Sequence, residues 1–120
     1  MPPDPTGSLS INEPAPYHYG DTLTFTSTSS KLRGAHPMVE VAMFQDYDQD
    51  GEVETGLFDG DLVFVALNPP EQPVLLRADE NTDVDATQPS KGVARLLAYG
   101  WKGGKEYIIP LDSVAFDVEP

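Results

Sequence analysis

The chain has 120 residues, the size of one ordinary domain, and 39% of them are hydrophobic, enough to bury a core. Twenty acids against seven bases give a formal charge of −13, which argues against nucleic acid or an anionic membrane as a partner recognised through charge. The absence of cysteine excludes disulfide stapling, thiol catalysis and cysteine-ligated zinc.

The predicted elements follow in chain order. Residues 1–8 form a proline-rich arm, where Pro2, Pro3 and Pro5 lack amide donors and favour an extended path. The start has no basic region followed by an apolar run, so no secretory signal is expected, and no apolar stretch is long enough to insert into a membrane. Ser8 to Ile11 alternates as a first short strand, broken by Pro14 and Pro16. Gly20-Asp21 reads as a turn into Thr22–Thr28, with Leu23 and Phe25 on one face. Ser29 to Pro37 is read as a loop, and Met38 to Phe44 as a strand with Val39, Val41 and Met43 inward and Glu40 outward.

Leu62–Leu67 is an apolar run of strand length, ended by Asn68-Pro69-Pro70, and Pro73–Arg77 is a further strand. Asp79–Ser90 is polar and turn-rich. Val93–Tyr99 is a strand, Trp101-Lys102-Gly103-Gly104 a tight turn, and Lys105–Pro110 with Ser113–Val118 the final edge. The pattern therefore predicts an all-β chain, an antiparallel β-sandwich of about seven short strands over residues 9–120. Val39, Val41, Leu23, Phe25, Ala94 and Leu96 are expected inside.

Two segments carry a resemblance. Pro16-Tyr17-His18-Tyr19-Gly20-Asp21-Thr22-Leu23-Thr24-Phe25-Thr26 resembles the opening of immunoglobulin-like domains, and Gly92-Val93-Ala94-Arg95-Leu96-Leu97-Ala98-Tyr99 resembles their penultimate long strand. Their order, with Met38–Phe44 between them and Gly100-Trp101-Lys102-Gly103-Gly104 before the last strand, is similar to the small immunoglobulin-like virion proteins of tailed phages infecting actinobacteria. The resemblance covers residues 8–119. It departs from antibody domains in lacking their disulfide and the tryptophan of their third strand. It implies a non-enzymatic decoration protein at the virion surface, partnered by the major capsid or tail proteins of the same particle. The alternative is an adhesion module for host cell-surface glycan, assisted by calcium.

The residues themselves offer few sites. Gln45–Glu54 contains Asp-x-Asp-x-Asp-Gly, the first half of a calcium loop: Asp46, Asp48 and Asp50 could converge on a hard cation, with Glu52 contributing its carbonyl. Leu57 stands where a bidentate glutamate should be, and Asp59 and Asp61 are the nearest substitutes. The competing reading is a solvated turn, where Asp and Gly occur for backbone reasons. No other cofactor is expected. His18 and His36 have no metal spacing, and no serine sits in a nucleophile elbow. Trp101 lies between bases and could stack on a sugar; the favoured reading is an indole covering one end of the core. Docking on a protein lattice is expected to use the arm with Pro2, Pro3 and Pro5, strengthened by Leu9 and Ile11, with the acidic segment pointing away.

Overall fold

A computed structural model describes residues 4–46, 50–53, 61–67, 71–79, 82 and 84–120. The chain is all-β among these residues, with eight strands: β1 (Thr6–Ile11), β2 (Tyr17–His18), β3 (Thr22–Ser30), β4 (His36–Phe44), β5 (Asp61–Leu67), β6 (Glu71–Leu75), β7 (Ser90–Lys102) and β8 (Lys105–Glu119). They form a three-stranded sheet, β1-β3-β6, and a five-stranded sheet, β2-β8-β7-β4-β5. No helix among the described residues is long and apolar enough to cross a membrane.

Alternation builds the core. In β3 the side chains of Leu23 and Phe25 point inward; in β4 Val39, Val41 and Met43 do so, and in β7 Ala94 and Leu96. All six expected core positions are no more than 1% exposed. Glu40 turns to the other face of its sheet, where its carboxylate pairs with Arg95, its cross-strand neighbour, at 3.3 Å. Phe116 joins the two layers: its ring meets Tyr17 edge-on and Phe25 at a tilt, each with centroids 6.0 Å apart.

The strand count is eight rather than about seven because of one short addition, while the last strand is longer than expected. Tyr17–His18 pairs in parallel with Val118–Glu119, so the segment after Ile11 leaves the first sheet and adds a short strand to the second. The end of the chain, read as two strands, is one strand of 15 residues. Leu96 faces Asp112 while Leu97 faces Pro110, so Leu111 is an extra residue, a β-bulge. The bulge inverts the in-out alternation midway, and in sequence that looks like a break. Strand edges shift as well: β1 opens at Thr6, inside the segment expected to be an arm, and β4 opens at His36, inside the segment read as a loop.

The register places the strand ends at one of two ends of the domain. His36 lies opposite Tyr99, Thr6 opposite Ser30, and Lys102 opposite Lys105. Phe44 lies opposite Lys91, Ser90 opposite Val118, and Thr22 opposite Leu75. The β3–β4 and β7–β8 connections therefore share one end, and the chain leaves β4 and enters β7 at the other.

Candidate functional site

The far end from the β7–β8 turn carries the acidic loop. Asp46 follows Phe44 and the buried Gln45, and its carboxylate folds back on its own backbone: Oδ1 accepts from the Asp50 amide at 3.2 Å and Oδ2 from the Gly51 amide at 2.8 Å. Asp50 Oδ1 accepts from the Glu52 amide at 2.8 Å, and Gly51 takes a φ of 91°, which glycine adopts without strain. Asp50 and Glu52 are exposed. Asp48 and Asp59 lie outside the described residues. Among the described residues no group of three or more histidines or acids is placed to hold a metal ion. What the geometry shows is a turn capped by its own carboxylates.

Next to this loop sits a polar cluster that was not legible in the sequence. The Gln45 amide donates to the carbonyls of Asp85 at 2.8 Å and Gln88 at 3.2 Å, and its Oε1 accepts from the Asp85 amide at 2.9 Å. Tyr19 donates its hydroxyl to the Gln88 carbonyl at 2.6 Å and also contacts Ser90 Oγ. Asp85 in turn accepts from the Thr87 hydroxyl and amide, which hold its carboxyl below the usual value. These bonds pin the β6–β7 connection to the end of β4, so their role is positional.

The second candidate region is the side of the sandwich where β1 and β8 face each other. Beyond the two residues paired with β2, β8 pairs with no further strand on this side among the described residues. A cleft of about 660 Å³ runs between the two edges, lined by apolar residues that include Leu9, Ile11, Val114 and Phe116 and also by Asp117 and Glu119. Leu9 is 7% exposed and gives its apolar surface to the domain's own core, while Ile11 is half-buried against that core. The Leu9 amide, at the outer edge of β1, is satisfied by Asp112 Oδ2 at 2.7 Å. Pro5 is half-buried beside the start of β1, and Pro2 and Pro3 lie outside the described residues.

The third region is the β7–β8 ribbon, which continues past the start of β4. Trp101 stands on it 64% exposed, so it does not cover an end of the core. The Tyr99 hydroxyl, two residues before it, donates to Glu106 Oε2 at 3.2 Å. Desolvation, and then the Glu106 carboxylate, raise the Tyr99 hydroxyl above its ordinary value. Glu106 is missed by sequence reasoning because only the cross-strand register brings it beside Trp101. The turn itself uses Gly103 and Gly104, with φ of 61° and 78°, the geometry a two-residue hairpin demands. Lys31 and Arg33, in the β3–β4 loop at the same end, also take positive φ, at 62° and 55°.

The two histidines remain apart. His18 is exposed near Asp21, and His36 is exposed opposite Tyr99. No family model, curated protein or solved structure matches this chain.

Proposed function

We propose that the chain is a non-enzymatic structural protein of a phage virion, an immunoglobulin-like decoration protein that docks side-on upon a capsid or tail lattice. The observation that carries this reading is the cleft between the edges of β1 and β8. Its lining is mostly apolar in a chain of −13 charge, with Asp117 and Glu119 the acids on it, it lies along strand edge that pairs with no further strand among the described residues, and the sequence leading into β1 is proline-rich. An extended segment of a lattice subunit would suit such a cleft, with the arm lying on a neighbouring subunit. Side-on docking leaves the acidic loop in solvent.

The strand order supports the immunoglobulin-like reading. β1-β3-β6 against β2-β8-β7-β4-β5 corresponds to strands A, B and E against a short continuation of A followed by G, F, C and an added C′. It agrees with the resemblance on which the virion reading rests, and no resident cofactor is proposed.

Mass spectrometry of purified parent particles tests the reading: the chain should be a stoichiometric component. Particles that form complete and contain no copy overturn it. Because β1 already begins at Thr6, the arm is tested by deleting residues 1–5. Ile11→Glu tests the cleft. Both variants should fold and incorporate poorly.

A further inference from the structure

The β7–β8 ribbon has features that neither the fold nor side-on docking uses. β4 begins opposite Tyr99, so from Gly100 to Tyr107 the two strands pair only with each other among the described residues. With three residues per strand beyond that point, the overhang is about 10 Å. Tyr99 and Trp101 are two apart and so share a face, with Ile108 and Glu106 as their cross-strand partners on it. Ile108 is 47% exposed.

Trp101 is 64% exposed, so its flat face is open for a ring to stack on it, and the Tyr99 hydroxyl on the same face is held by Glu106 at 3.2 Å. The turn adds charge. Lys102 and Lys105 are directly opposite one another, an arrangement that repels in an antiparallel pair. With Lys31 and Arg33 in the adjoining loop, four of the seven bases of this acidic chain lie at one end. Nothing lies within 4 Å of a Cβ built at Gly103 or Gly104, so the path over the turn from the indole face to the lysines is open.

Size decides the kind of ligand. A whole tryptophan side chain offers about 150–250 Å², whereas a stable protein interface takes about 800 Å² from each partner. A ribbon two strands wide falls well short of that, but it matches one or two sugar rings. We propose that this end binds an acidic oligosaccharide, with one pyranose ring on the Trp101 indole and an anionic group of the next unit reaching across the turn to Lys102 and Lys105. The inference stands on the ribbon alone and does not depend on the virion reading.

The chain has one tryptophan, so its emission reports this site alone. Titrating the full chain with tetragalacturonate at low ionic strength should shift and quench that emission. Maltotetraose, the neutral counterpart, should bind roughly tenfold more weakly. The double variant Lys102→Gln/Lys105→Gln keeps the reporter and the fold, and should bind the two sugars alike. Trp101→Ala, followed by calorimetry with a thermal melt as the folding control, should bind neither. Unchanged emission with both sugars overturns the proposal, as does binding that survives Trp101→Ala or a charge preference that survives the double lysine variant. A response to hexaglutamate in place of tetragalacturonate assigns the end to an acidic protein and overturns it as well.

Discussion

Phe116 lies on Gly92, its cross-strand partner, so closely that a Cβ built at Gly92 would overlap Cε2 and Cζ of the ring. The contact is central, because the same ring meets Tyr17 and Phe25. Gly92→Ala should therefore destabilise the domain by about 3 kcal/mol, the upper range for overpacking a filled core. In a Phe116→Leu background the same change should cost at least about 1 kcal/mol less, since the clash is relieved. Urea unfolding of the four members of the cycle measures this, and additive effects would show that the ring moves aside freely.

Gln45 is 4% exposed and holds the β6–β7 connection through both ends of its amide. Gln45→Ala should cost about 2–3 kcal/mol, because buried carbonyl and amide partners lose their bonds. Gln45→Glu should cost more near neutral pH, as it turns a carboxylate toward the carbonyls of Asp85 and Gln88. A carboxyl so placed has a raised pKa, so its deficit is absent below the ordinary glutamate value of about 4.3 and grows as pH rises through the folded value. Thermal melts against pH for the three proteins check the order and its narrowing in acid.

Glu13 works in the opposite sense. Its Oε1 accepts from the Thr24 amide at 2.6 Å, and that bond holds its carboxyl below 4.5. A lowered folded pKa contributes stability in full above 4.5 that is lost as pH falls through the folded value. Glu13→Gln should be less stable than the wild type near neutral pH, with the gap closing on acidification. A gap that stays constant with pH would mean that the charge plays no part.

The Asp46 carboxylate caps its loop, so Asp46→Ala should destabilise by about 1–2 kcal/mol with or without calcium, and Asp46→Asn, which keeps one acceptor, by less. Melting temperatures in chelator and in calcium check this. A calcium-dependent rise that disappears in Asp46→Asn would instead make the loop a metal site, since a ligand bound only by the folded state stabilises it by mass action.

Local alternation is enough to read the all-β class, the inward faces of β3, β4 and β7 and the glycine turn at Gly103-Gly104, because strand period and turn backbone depend on neighbouring residues alone. The bulge at Leu111 was not legible: it is defined by the partner strand that it slips against, and in one dimension it shows only as lost alternation. Asp46 and Gly51 were legible as a turn, being five apart, whereas the Gln45 cluster gathers groups up to 71 residues apart on the sequence. Trp101 shows the same division. Its position between bases is plain in the sequence, but its exposure and its place beside Glu106 follow from β4 stopping at His36 while β7 and β8 run on, and only the packing of whole strands decides where one ends beside another.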